Sequence, residues 1–233
     1  MVKRSRNPIS GTALAIAAVF AFASALLSAP AQAGKQAEER LAPSVVAGLQ
    51  RAVADSPVPA DYVKNAGVRT WLEEMSKRLA LRVPDGQSRD EFMATVHYEA
   101  ARAGLDPQLV LGVIQLESNF RKYAISSADA RGYMQVMPFW TRLIGATDHN
   151  LFHLRTNLRY GCVILRHYLD AENGDVYRAL GRYNGSLGRP EYPTAVLDIM
   201  TRNWLYPPAS AAPNDGGKRS SPVGVIPASY TAR

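Results

Sequence analysis

Between Ser88 and Tyr206 nearly every segment opens with its own helix-start signal, and none shows sustained two-residue alternation. This part of the chain is therefore confined to a mainly helical fold. Ser88-Arg89-Asp90-Glu91 has the form of a capping box, and the helix it opens ends near Gly104. Asp106 followed by Pro107 suits a second start, because proline fits the first helical position and a short acidic side chain accepts the free amides there. Further helices are expected over residues 134–144, over 157–171 with Asn157 as cap, over 176–183 behind Asp175, and over 193–204. No strand is expected, though the pattern leaves room for short extended pieces around Ile125 or Phe152. About 120 residues can bury one core.

The flanks read differently. Lys3, Arg4 and Arg6, then an apolar run over residues 13–27, then Ala31-Gln32-Ala33 have the pattern of an export signal over residues 1–33, with cleavage expected before Gly34. Pro30 and the small-residue ending argue against an uncleaved membrane anchor. Removing that segment lowers the net charge from +7 to +4, too mild for a nucleic-acid binder and compatible with attraction to anionic envelope polymer. Residues 34–86 mix two expected helices, 44–54 and 61–81, with breakers at Pro57, Pro59 and Pro84-Asp85-Gly86, as a helical N-terminal extension would. Residues 207–233 turn to Pro, Ala, Ser, Gly and Asn and read as a disordered C-terminal tail. Cys162, the single cysteine, falls in an apolar run and reads as a small packed hydrophobe.

Chemistry concentrates at the end of the second helix. Leu109, Val113, Leu116 and Phe120 recur at spacings of four, three and four, the stripe a helix turns toward a core, and Glu117 lies inside it. A carboxyl leaning over apolar neighbours is partly desolvated, which disfavours its charged form. Raising it from about 4.3 toward roughly 6 or 7 would let it hold a proton near neutral pH and act as a general acid. The plain alternative is a helix-end glutamate that reaches water.

Four motifs, in order, resemble those of the lytic transglycosylases, whose catalytic domain has a lysozyme-like fold. They are Glu117-Ser118-Asn119-Phe120; the run from Ser126 through Arg131-Gly132-Tyr133-Met134-Gln135-Val136-Met137-Pro138; Asn157-Leu158-Arg159-Tyr160-Gly161; and Ala179-Leu180-Gly181-Arg182-Tyr183-Asn184-Gly185. The resemblance covers roughly residues 90–204. It implies a mainly α domain of the lysozyme-like α+β superfamily over residues 87–206, acting on peptidoglycan glycan strands; the export signal implies a periplasmic location with no stable membrane insertion after cleavage, and no cofactor or metal is expected. Glu117 matches the family's catalytic acid. Ser126 matches a serine near the substrate N-acetyl group, Met134 and Gln135 match residues lining the saccharide cleft, Tyr183 one close to the glutamate, and Asn184 one orienting that corner. Ser126 as a loop hydrogen-bonder, Met134 as core filler and Tyr183 as a packed aromatic are the plain readings of the same residues.

Two positions depart from the family pattern. Asp129 stands where glycine is usual and Tyr133 where leucine is usual, so a second carboxylate lies near the site. That keeps open a true lysozyme, in which Asp129 would position a water opposite Glu117, and also a non-catalytic peptidoglycan-binding module. Other chemistries lack their patterns. His97, His149, His153 and His167 are too scattered for a zinc motif, and Gly185-Ser186-Leu187-Gly188 lacks nucleophile-elbow spacing.

Overall fold

The computed structural model describes residue 36 and residues 38–206; the export signal and the C-terminal tail expected from sequence lie outside the described residues. The elements are α1 (Pro43–Ala52), a 3-10 turn (Tyr62–Lys64), α2 (Ala66–Leu79), α3 (Gly86–Arg102), α4 (Pro107–Ser118), α5 (Phe139–Ile144), α6 (Leu154–Ala171), α7 (Val176–Asn184), α8 (Glu191–Ile199) and a π turn (Met200–Trp204). Among the described residues there is no strand, only isolated bridges pairing Ile125 with Arg131 and Arg131 with Val136. The fold is therefore mainly helical, with a short bridging piece at Ile125, while Phe152 sits in a turn.

Local chemistry starts four of these helices. Asn65, Asp85, Asp106 and Asp175 each accept a hydrogen bond from an amide of the first turn, from Gly67 at 3.0 Å, Ser88 at 2.7 Å, Gln108 at 2.8 Å and Arg178 at 3.0 Å. Each bond satisfies a donor that the helix leaves free. Pro84-Asp85-Gly86 is thus the start of α3 rather than only the end of what precedes it, and Ser88 lies inside the helix it was expected to cap.

Helix α4 is buried nearly all round, with Leu109, Val110, Leu111, Val113 and Ile114 in the core, so it is the central rod of the domain and not an amphipathic cover. It lies against α3 and α8, while α6 lies against α3 and α7. Gly112 permits a close approach of α4 and α8. A Cβ there would come within 3.0 Å of the Val196 carbonyl in α8. The helices of residues 34–86 share the same core, to which Leu49, Val53, Trp71, Met75 and Leu79 contribute. Cys162 is packed in that core as well, with its thiol pushed well up by burial. Among the described residues no helix is long and apolar enough to cross a membrane.

Three expected elements differ from the structure. The helix expected over 134–144 begins only at Phe139, because Gln135 takes a left-handed φ of 49° and Arg131 and Val136 pair backbone to backbone. Asn157 does not cap α6, which starts at Leu154; it is buried inside the first turns and its amide is spent elsewhere. The last helix begins at Glu191 and loosens into the π turn after Ile199.

Candidate active site

Glu117 lies in the last turn of α4, where the helix stops abruptly. Asn119 (φ 46°) and Phe120 (φ 65°) both take the left-handed region, an uncommon pair for residues with side chains. Phe120 leaves the helix and packs edge-on against Phe92 and Trp204, with ring centroids 5.8 and 5.5 Å apart. The chain then folds back beside the helix end, and the Ser118 hydroxyl donates to the Tyr133 carbonyl at 2.8 Å.

Opposite Glu117 stands Tyr192, at the start of α8. Its hydroxyl donates to Glu117 Oε1 at 2.6 Å. The pairing follows from the tight contact at Gly112 and Val196: about one turn onward in α4 meets one turn back in α8, so the two helices run antiparallel and bring positions 117 and 192 together. Glu117 is half-buried, and loss of hydration pushes its carboxyl up to about 7, against a smaller downward pull from the Tyr192 hydrogen bond. Burial and the neighbouring Glu117 charge push the Tyr192 phenol well up, so it remains a donor. A carboxyl half-protonated near neutral pH can give a proton and later take one back.

The turn after Glu117 is braced from three sides. Asn157 accepts from the Met134 amide at 2.8 Å and donates to the carbonyls of Arg131 and Leu151, both at 2.8 Å. The Gln135 side chain donates to the carbonyls of Gly132 (2.9 Å) and Ala124 (3.1 Å). Tyr183 donates its hydroxyl to the Met134 carbonyl at 2.8 Å. Gly132 has φ 74° and no room for a Cβ, which would stand 2.4 Å from Asn157 Nδ2.

The structure places the sequence-derived site residues unevenly. Ser126 is half-buried and its hydroxyl oxygen accepts from the amides of Ala128 (3.2 Å) and Ala130 (3.1 Å), shaping its own loop. The Met134 side chain has no exposed surface and abuts Gly161, so at this position only the backbone is offered to the turn. Gln135 and Tyr183 are buried and brace that turn, and Tyr183 bonds to Met134 instead of the carboxyl of Glu117. Asn184 is buried at the end of α7. Asp129 is exposed with φ 67°, and its two carboxylate oxygens accept from Arg131 at 3.0 Å each.

Two residues at this site were not singled out from sequence for what they do here. Tyr192 is separated from Glu117 by 75 positions, and nothing in Pro190-Glu191-Tyr192-Pro193 announces the partner; the small Gly112 on α4 was the available hint of a close helix approach. Asn157 was visible as a polar residue at a helix start, but its three tertiary bonds were not.

The site is thus a desolvated carboxyl presented at the end of the central helix of a small helical domain. Residues 94–192 match the model of the Transglycosylase SLT domain. The chain is 31% identical over 157 residues to a transglycosylase of Enterobacteria phage PRD1, a match covering 61% of this chain and 57% of the phage protein. It is 46% identical over 48 residues to membrane-bound lytic murein transglycosylase C of Mannheimia succiniciproducens (21% of this chain, 13% of that protein). It is 30% identical over 114 residues to the Haemophilus ducreyi protein of the same name, covering 42% and 31%. The chain thus spans just over half the length of the phage protein and less than a third of the other two. Among solved structures, lytic transglycosylase Slt from Pseudomonas aeruginosa aligns with a TM-score of 0.40 at 19% identity, over 72% of this chain and 35% of that one.

Proposed function

We propose that this protein is a peptidoglycan lytic transglycosylase that cleaves the β-1,4 bond between N-acetylmuramic acid and N-acetylglucosamine, working in the periplasm after removal of residues 1–33. The observation that carries this reading is the state of Glu117: a half-buried carboxyl pushed up to about 7, held by Tyr192, in a stretch that matches the SLT domain model.

Glycosidic cleavage needs a proton for the leaving oxygen and stabilisation of positive charge at the anomeric carbon. Protonated Glu117 gives its proton to the bridging oxygen as the C1–O4 bond breaks. The substrate N-acetyl carbonyl stabilises the cation, in place of a second carboxylate. The 6-hydroxyl of the same N-acetylmuramic acid then bonds to C1, and its proton returns to Glu117, leaving a 1,6-anhydro ring with no water consumed. One acid serves both steps, which suits a value near 7. Met134, Gln135 and Tyr183 hold the turn over residues 131–136 that lies beside the end of α4, and Ser126 shapes the loop before it; in this reading these four residues, with Asn184, form the saccharide-binding side of the site.

The hydrolytic alternative requires Asp129 to hold a water opposite Glu117, with the carboxyls about 6.5 to 9.5 Å apart. The fork-to-fork pairing of Asp129 with Arg131 weighs against it, since each carboxylate oxygen already accepts one guanidinium bond and the side chain stands exposed on its loop. Mass spectrometry of the sugars released from peptidoglycan tests the reading. Products ending in 1,6-anhydro-N-acetylmuramic acid, absent with Glu117→Gln, are expected. Reducing ends would replace the reading by a hydrolase, and undiminished cleavage by Glu117→Gln would remove Glu117 from the mechanism.

A further inference from the structure

Beside the turn that follows Glu117, two aromatic rings stand largely outside the core. Tyr123, six residues after Glu117, is 71% exposed, and Ile125 next to it is 62% exposed. Phe152 is half-buried and packs against Tyr123 with ring centroids 5.8 Å apart and planes inclined by 49°. Water is a poor environment for such surface, and clustered exposure next to a site marks a place where something binds.

The backbone beneath both rings is fixed relative to the site. The Ala124 carbonyl, adjoining Tyr123, accepts from the Gly132 amide at 2.9 Å and from Gln135 Nε2 at 3.1 Å. The Leu151 carbonyl, adjoining Phe152, accepts from Asn157 Nδ2, the same amide group that holds Arg131, while Asn157 Oδ1 holds Met134. Phe152 is further held by its own amide, which donates to Asn150 Oδ1 at 2.9 Å. The backbone that carries the rings is therefore held against the turn that walls Glu117, and a ligand meeting them has no loop to order.

We propose that Tyr123 and Phe152 form an accessory saccharide subsite, a stacking platform for a pyranose ring of the glycan strand beyond the bond that Glu117 cleaves. This rests on the reading given under Proposed function. A pyranose presents a face of C–H bonds that is apolar and weakly positive, the complement of the negative face of an aromatic ring. Two rings set at an angle offer a shallow cradle for such a face, and the charge around them suits the same occupant. Lys122 Nζ lies 5.3 Å from the Tyr123 ring centroid, and Arg121 and Lys122 are both exposed, as fits a strand carrying carboxylates on its lactyl and peptide substituents.

The test measures co-sedimentation of the purified protein with isolated peptidoglycan sacculi, in a Glu117→Gln background that leaves the strands intact. Tyr123→Ala and Phe152→Ala are each expected to weaken binding about five- to tenfold, and Tyr123→Phe by less than about twofold, with thermal midpoints unchanged because the rings lie outside the core. Parent-like binding by both alanine variants would overturn the platform, as would equal losses for Tyr123→Phe and Tyr123→Ala, which would point to a hydroxyl contact instead of stacking. Digestion by the wild-type protein, run in parallel, reads the chemistry separately. Ring-dependent sedimentation without anhydro products keeps the platform and removes the transglycosylase reading, whereas anhydro products with ring-independent sedimentation do the reverse.

Discussion

The hydroxyl of Tyr192 and Oε1 of Glu117 meet at 2.6 Å across the α4–α8 contact, a donor placed on the one carboxyl that desolvation holds near 7. The two influences oppose each other. Burial favours the protonated acid, and the phenol favours the carboxylate. Tyr192→Phe removes only the second, so the Glu117 value should rise further. Because the first step needs the protonated form, kcat/KM on peptidoglycan is expected to fall above about pH 7 in the wild type, and that descending limb should move to higher pH in Tyr192→Phe. The rate itself is expected to drop about tenfold or more, since the phenol also orients the carboxyl. A pH–rate profile checks this; a slower enzyme whose limb stays put would mean that Tyr192 only packs.

The same desolvation makes Glu117 a burden on the folded state. Its folded value of about 7 lies above the ordinary 4.5, so the folded protein binds the proton more tightly than the unfolded chain does. Below about pH 4.5 both states are protonated and nothing is lost. Between 4.5 and 7 the unfolded chain ionises first, the penalty grows, and above 7 it levels off. Glu117→Gln keeps the shape and removes the charge. It should therefore stabilise the protein by on the order of 1 to 2 kcal/mol at pH 8, after allowance for residual solvent, with the gain vanishing near pH 4. Denaturant unfolding at the two pH values gives the comparison.

What the sequence made legible was local. The caps at Asp106 and Asp175 are set by neighbours within a few positions, and they appear in the structure where they were expected. Glu117 was legible for the same reason, as a carboxyl placed among apolar helix positions. The contacts that finish the site were not. Tyr192 reaches Glu117 through a helix packing set by Gly112, and the 134–144 helix is cut short because Asn157, Gln135 and Tyr183 hold residues 131–136 in a non-helical turn. Met134 illustrates the limit: its family match suggested a cleft-lining side chain, while the missing side chain of Gly161 draws it into the core.

Asn157 offers the sharpest test of that turn. All three of its bonds end on backbone groups of segments with no regular structure of their own, at Arg131, Met134 and Leu151. Asn157→Ala would strand two carbonyls and an amide in a buried place, and each unpaired group costs about 1 to 3 kcal/mol. The expected result is a loss of about 2 to 4 kcal/mol in stability, less than the sum because water can enter, together with a large fall in kcat as the turn beside Glu117 loosens. Calorimetry and initial rates measure the two effects on the same sample, at a temperature where the variant is still folded.

Asp129 provides the opposite case, a residue at a special backbone position whose side chain does little for the fold. Its φ of 67° is one that glycine adopts freely and aspartate tolerates through its short polar side chain. The ion pair with Arg131 is solvent-exposed, and such pairs contribute about 0 to 1 kcal/mol. Asp129→Gly relieves the backbone and forfeits the pair, so stability should change by less than about 1 kcal/mol. The product mixture decides more than the stability does. If Glu117 works alone, the glycine variant should release 1,6-anhydro ends at a rate within about twofold of the wild type. A hydrolase relying on Asp129 for its water would instead lose about 10²-fold or more, because the second carboxyl would be gone.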